Sequence, residues 1–149
     1  MARELENLLA QWSQRRGLAP ATLGEDGKHY YVFDGNYEVG LSQAGPRIYF
    51  ETSLGSLPGR KDQAEALLER LMKLQLARSR RSAEVLALTP EGDGLTLFHA
   101  IPVDRLDLRH FDMALGAFVN TVAFWSRKLS DNGFPARSGA ALPLQIMYP

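Results

Sequence analysis

The sequence predicts an α+β fold with the order helix, three antiparallel strands, helix, two strands and long helix, in which helices pack on a twisted antiparallel sheet. Residues 29–54 contain strand-like runs separated by turn sequences, and residues 95–101 form another such run that Pro102 ends. After it, apolar residues recur at alternating spacings of four and three, which places them on one face of a long helix. They are Phe111, Leu115, Phe118, Val122, Trp125 and Leu129.

The first half of the chain begins with a helix predicted over residues 4–16, which Gly17 is suited to end in a left-handed conformation. Its apolar residues at helical spacing are Leu5, Leu8, Leu9 and Trp12. Three strands are then predicted over residues 29–34, 37–42 and 47–54. The sequence Asp-Gly-Asn at residues 34–36 is typical of a tight turn between the first two strands.

The second helix is predicted to run from Asp62 to about residue 78, with Asp62 and Glu65 placed as a capping box. Its apolar residues spread over roughly 200° of the circumference, which is wider than a single core contact needs. This width suggests one face for the core and a second for another subunit. The residues are Leu67, Leu68, Leu71, Met72, Leu74 and Leu76.

Two strands, over residues 83–88 and 95–101, precede the third helix. Asp107 is predicted to cap that helix, and Leu106 and Phe111 flank the cap at the positions of a hydrophobic staple. Residues 1–131 are therefore predicted to form one domain. Residues 132–149 contain Gly and Pro without any periodicity, which predicts an irregular tail.

Composition excludes several classes of protein. The 17 Lys and Arg residues balance the 17 Asp and Glu residues, so the sequence lacks the positive excess typical of nucleic-acid binding. The absence of cysteine excludes disulfides and thiolate chemistry and fits a cytoplasmic protein. The polar N-terminus does not look like a signal peptide, and no apolar run reaches the roughly 20 residues of a membrane span.

The sequence contains no recognisable catalytic or metal-binding motif. The histidines His29, His99 and His110 lie far apart and lack the spacing of a zinc site. The loop at residues 55–61 has the glycines of a phosphate loop, but Asp62 follows its lysine where Ser or Thr is needed. We therefore expect neither an enzyme nor a cofactor or metal site.

Several short sequences accompany the element order. They are the amphipathic first helix, the glycine turn of the first hairpin, Leu-Gly-Ser-Leu-Pro at residues 54–58, the leucine-rich second helix, and Ile101-Pro102 followed by Leu106-Asp107. Together they resemble the class I type III secretion chaperones, the Tir-chaperone (CesT-like) family of small bacterial proteins, over about residues 3–130. The neutral charge departs from that family, whose members are commonly acidic.

The resemblance implies a bacterial, cytoplasmic homodimer without catalysis. It would bind the N-terminal chaperone-binding segment of a secreted effector in extended form and keep it soluble and secretion-competent. The implied effector contacts are Leu5, Leu8, Trp12, Val32, Phe33, Val39, Leu41, Ile48 and Phe50, and the implied dimer interface is Leu67, Leu68, Leu71, Met72 and Leu74. The alternative function is a small-molecule-sensing or regulatory α+β domain without catalysis, which a deep closed pocket would favour.

Overall fold

The computed structural model describes residues 3–131, and the predicted tail at residues 132–149 lies outside the described residues. The helices of this part of the chain are α1 (Arg3–Arg16), α2 (Lys61–Arg78) and α3 (Leu108–Asp131). The strands are β1 (Thr22–Leu23), β2 (His29–Phe33), β3 (Tyr37–Ala44), β4 (Arg47–Ser56), β5 (Val85–Leu88) and β6 (Gly94–Pro102). A single 3-10 turn, Val103–Arg105, leads into α3.

All six strands belong to one antiparallel sheet with the order β1-β2-β3-β4-β6-β5. The two predicted groups of strands meet through β4 and β6, which pair from Arg47 with Pro102 to Ser56 with Gly94. The predicted α+β order is confirmed with one correction, because the short edge strand β1 was not predicted. Its two residues pair with Tyr30 and His29 at the start of β2.

The backbone confirms three predicted turns and caps. Asp34 and Gly35 both have positive φ, 53° and 71°, as a tight turn between right-twisted strands requires. Gly17 has φ of 67°, and the N–H of Leu18 donates to the carbonyl of Ser13 at 2.8 Å, which closes the end of α1. At the start of α3 the Asp107 carboxylate accepts from the backbone N–H of His110 at 2.8 Å.

The capping box predicted for the second helix is wrong. The helix begins one residue earlier, at Lys61, and Arg60 occupies the N-cap position without a side-chain cap hydrogen bond. The Asp62 carboxylate instead accepts from Arg60 Nη2 at 3.1 Å. An acidic residue there still interacts favourably with the helix dipole.

The core lies between one face of the sheet and helices α1 and α3. All six apolar residues of the predicted stripe on α3 are buried, which confirms that prediction. Trp12 of α1 contacts Tyr31 and Phe111 edge to face, with ring centroids 5.1 and 6.0 Å apart. Phe50 of β4 makes similar contacts with Phe111 and Phe118. These aromatic contacts hold both helices on the same face of the sheet.

Helix α2 lies beside the β5 edge of the sheet. Leu67 and Leu71 are its buried residues, and they belong to the core. The Gln75 side chain contacts the backbone of β5 and of the residue before it. Its Nε2 lies 3.4 Å from the carbonyl of Glu84, and its Oε1 lies 3.4 Å from the N–H of Leu86. The Arg78 guanidinium lies 3.8 Å from the ring centroid of Phe124 on α3. These contacts fix the C-terminal end of α2.

Asp112 joins the end of α1 to the start of α3. Its Oδ1 accepts from Trp12 Nε1 at 2.8 Å and from Arg16 Nη2 at 2.6 Å. Trp12 is almost completely buried, so its indole N–H depends on the half-exposed Asp112 carboxylate for a hydrogen bond. We expect Asp112→Ala to lower the free energy of unfolding by about 1–3 kcal/mol, measured by urea denaturation.

Asp112→Asn is the matched control for that prediction. An amide oxygen can still accept from the indole, so this variant is expected to retain most of the stability that Asp112→Ala loses. A loss below about 0.5 kcal/mol in Asp112→Ala, the range of ordinary surface changes, would show that the hydrogen bond to Trp12 contributes little.

Candidate binding surfaces

The residues predicted to contact a partner lie mainly in the core. Eight of the nine are buried: Leu5, Trp12, Val32, Phe33, Val39, Leu41, Ile48 and Phe50. Leu8 is half-buried and packs against the core. Apart from Val32, which is buried outside the core, these side chains pack together between the sheet, α1 and α3. The open surface beside α1 therefore has to be identified from other residues.

The residues predicted for a dimer interface divide into three sets by burial. Leu67 and Leu71 are buried in the protomer, whereas Leu68 and Leu74 are half-buried. Met72 is 47% exposed, and Leu76, four residues further along, is 73% exposed. Leu68, Met72 and Leu76 share one face of the helix, about 120° from the core face of Leu67 and Leu71 at 100° per residue. We call these three residues the α2 stripe.

A groove of about 390 Å³ runs between α1 and the first two strands, and we call it the α1–β1 groove. Its lining is mostly apolar, and its exposed lip is Leu23, with 65% of its surface accessible. The lining residues are Glu6, Leu9, Ala10, Ser13, Pro20, Ala21, Leu23, His29 and Tyr31. Leu9 was assigned to helix one by its spacing, but the lip formed by β1 was missed because a two-residue strand has no periodicity.

The sheet edge beside this groove is only partly covered. The N–H of Gly24 donates to the carbonyl of Lys28 at 2.8 Å, so even-numbered residues of β2 direct their backbone groups toward β1. Strand β1 pairs no further than Tyr30, and no strand of the described residues lies beside Val32 on that edge. The opposite edge differs, because Gln75 lies against β5. The β2 edge is thus the more accessible of the two.

A second open pocket, of about 400 Å³, lies on the other side of α1. It is lined by Trp12, Arg15, Arg16, Leu108, Arg109 and Asp112. Its cations exceed its single carboxylate, and Asp112 is already bonded to Trp12 and Arg16. The pocket therefore presents three arginines beside a carboxylate that is already paired.

The perturbed titratable groups are scattered over the fold. Burial raises the pKa of Tyr30, and its hydrogen bond to the Asp26 carboxylate raises that pKa further. Burial lowers the pKa of His99, although the charge of Glu84 partly opposes this. The backbone N–H of His110, followed by its side chain, lowers the pKa of Asp107. Each shift has a local structural cause, and the three groups belong to different elements.

Two absences apply to residues 3–131. Within this range no three His, Asp or Glu side chains come together in a way that could hold a metal ion. Every helix of the same range is too short or too polar to cross a lipid bilayer.

The family model for the Tir chaperone proteins (CesT) matches residues 7–126, from the middle of α1 to the last turns of α3. The chain belongs to the Tir chaperone protein (CesT) family. The match spans every strand of the sheet and the whole of α2. The groove, the open sheet edge and the α2 stripe are therefore features of a CesT-family domain. None of the curated proteins searched matches the chain.

Solved structures share the fold of this CesT-family chain at low sequence identity. The ExsC–ExsE complex contains a chain with 22% identity and a TM-score of 0.66, and the match covers 85% of this chain and 94% of that one. A chain of the HopA1–SchA chaperone–effector complex has 16% identity and a TM-score of 0.65, and the match covers 83% of this chain and 94% of that one. A chain of the ExoU–SpcU complex from the type III secretion system of Pseudomonas aeruginosa has 18% identity and a TM-score of 0.59. That match covers 85% of this chain and 94% of the other.

Proposed function

We propose that this protein is a dimeric type III secretion chaperone that holds the N-terminal segment of a secreted effector in extended form, without catalysing a reaction. The observation that carries the proposal is the α1–β1 groove lying beside the incompletely covered edge of β2. An extended segment can add to such an edge through its backbone while its side chains enter the groove. Family membership and the likeness to chaperone–effector complexes support it.

The shape of the cavities fits a polypeptide better than a small metabolite. Both the α1–β1 groove and the pocket beside Arg15 and Arg109 are open to the surface. Small-molecule sites usually bury most of their ligand, which an open groove does not do. A bound segment loses roughly 1–2 kcal/mol of backbone entropy per residue, so it needs a long contact, and two groove copies in a dimer would lengthen that contact.

The α2 stripe supports association through a second copy. Leu68 and Leu76 each lie four residues from Met72, so an antiparallel pair of α2 helices centred on Met72 would place Leu68 against Leu76 of the second copy. The same symmetry brings Glu65 near Ser79 of the second copy, and Arg80 is the next residue. Apolar residues then meet at the centre and opposite charges at the ends, which is the pattern of a self-complementary interface.

The test is co-expression of the protein with each product of the adjacent genes. An effector is expected to become soluble and to co-purify in stoichiometric amount. Leu23→Asp should then reduce its affinity by about tenfold or more, because a charge replaces the apolar lip of the groove. Leu88→Asp is the matched control, since Leu88 is also exposed on an edge strand but lies at the far side of the sheet.

The comparison of the two variants decides the location of the site. Leu88→Asp should leave capture and solubility unchanged. Equal affinities for both variants and the unmodified protein would remove the α1–β1 groove as the binding site. If no adjacent product becomes soluble with the unmodified protein, the chaperone function itself is contradicted.

A further inference from the structure

The hydroxyl of Tyr31 is a buried polar group without a hydrogen-bond partner among residues 3–131. Tyr31 is 3% exposed and forms part of the α1–β1 groove. Its ring is held edge to face on Trp12, with centroids 5.1 Å apart. The position of the ring, and hence of the hydroxyl, is therefore set by the core rather than by a polar contact.

The neighbours of this hydroxyl do not satisfy it. The Ser13 side chain donates to the Ala10 carbonyl at 3.2 Å. Burial raises the pKa of Tyr31, and the nearby Ser13 side chain and Ala21 backbone partly oppose this rise. Neither group meets the distance and angle of a hydrogen bond to the hydroxyl. Burying an unsatisfied hydroxyl is unfavourable, so most buried polar groups in folded proteins have partners.

The groove wall next to Tyr31 is a short hairpin. Ala21 precedes β1, whose residues Thr22 and Leu23 pair with β2, and the N–H of Gly24 adds one further hydrogen bond to the Lys28 carbonyl. Both strand residues are exposed. The hydroxyl itself is buried, so a bound segment reaches Tyr31 Oη only if this exposed lip shifts outward.

We propose that Tyr31 is the polar anchor of the α1–β1 groove: its hydroxyl donates a hydrogen bond to a backbone carbonyl of an extended segment of a second protein, whose apolar side chain packs against Leu9 and Ala21. This proposal rests on the proposed chaperone function. It adds a specificity element, because the groove then favours a segment whose backbone carbonyl is free at that point. A segment with a helical backbone, in which carbonyls are already bonded, would not satisfy Tyr31.

Tyr31→Phe tests the anchor because it removes only the hydroxyl. The probe is the N-terminal segment of the effector recovered by co-expression, titrated onto the full-length protein. Affinity is expected to fall about three- to tenfold, the range of one neutral hydrogen bond. The thermal midpoint of the free variant should not fall, because the hydroxyl has no partner to lose. Tyr49→Phe is the control, since Tyr49 lies on the opposite face of the sheet and is expected to leave affinity unchanged.

Two results would overturn the anchor while leaving the chaperone function intact. One is an unchanged affinity of Tyr31→Phe for a segment that the unmodified protein binds. The other is a clear loss of stability in the free variant, which would reveal an internal partner of the hydroxyl. Failure of the unmodified protein to bind any co-expressed segment would instead contradict the chaperone function, and the anchor with it.

The occupant of the groove is identified by a photo-crosslinking residue placed at Leu23, the exposed lip. A crosslink to the effector's N-terminal segment in the co-purified complex supports the proposal. A crosslink to a second copy of this chain, or to residues 132–149 of the same chain, contradicts it, because the groove would then be covered by the protein itself.

Discussion

Leu76→Asp is expected to convert the protein from a dimer into a folded monomer. Leu76 is 73% exposed on α2, and in the proposed antiparallel pair it faces Leu68 of the second copy. The two-fold symmetry introduces two carboxylates, and each would lose its hydration against apolar surface. We expect the dissociation constant to rise at least about 100-fold, measured by analytical ultracentrifugation over a range of protein concentrations.

Ala77→Asp is the matched control for the dimer prediction. Ala77 is also exposed, follows Leu76 directly, and lies about 100° further round the helix, away from the α2 stripe. It should leave the dimer intact. A dimer that survives Leu76→Asp would mean that the α2 stripe is not the interface. Dissociation by both variants would point to a general effect of charge on α2.

A charge exchange tests the antiparallel geometry separately. Glu65→Arg and Arg80→Glu should each weaken the dimer, because each places like charges near one another at both ends of the interface. The double variant should recover part of the lost affinity. Additive losses in the double variant would contradict the proposed register while leaving the stripe itself untouched.

The sequence predicted well those features of the fold that depend on a single helix or a single turn. The stripe from Phe111 to Leu129 needed only helical spacing, and Asp107 needed only the chemistry of a helix N-terminus. The turn at Asp34 and Gly35 is likewise a local preference for positive φ. Such features depend on neighbours within a few residues, so tertiary structure seldom overrides them.

The sequence did not predict which apolar residues remain uncovered. Alternation in the second predicted strand shows that Val39 and Leu41 share a face, but not that α1 and α3 cover it. Strand β1 was not predicted because two residues are too few to show an alternating pattern. Thr22 and Leu23 form a strand only through their pairing with β2. The orphan hydroxyl of Tyr31 depends on three-dimensional packing around Ser13 and Ala21, which no local pattern encodes.

The two apolar faces of α2 were predicted only in part. The width of its apolar arc predicted two faces, and the structure places Leu67 and Leu71 inside and Met72 and Leu76 outside. Helical geometry alone relates these residues to one another, but only the position of the sheet decides which pair is buried. The assignment of the outer pair to a dimer stays a prediction that Leu76→Asp tests.

Phe50→Ala is expected to destabilise the domain severely while leaving the groove chemistry unchanged. Phe50 is fully buried, and its ring lies 5.7 and 5.8 Å from those of Phe111 and Phe118. Truncation would leave a cavity at the centre of the sheet and cost about 3–5 kcal/mol of unfolding free energy, measured by urea denaturation. Tyr49→Ala, the neighbouring half-buried residue on the opposite face, should cost clearly less.

The same variant separates a core residue from a partner contact. Under conditions where Phe50→Ala is still folded, its affinity for the effector segment should equal that of the unmodified protein. The reason is that the Phe50 ring packs between the sheet and α3 and does not line the α1–β1 groove. Loss of capture by a fully folded Phe50→Ala protein, with little loss of stability, would contradict this. It would restore Phe50 to the effector contacts that the family resemblance implied and would mean that the helices part from the sheet when the effector binds.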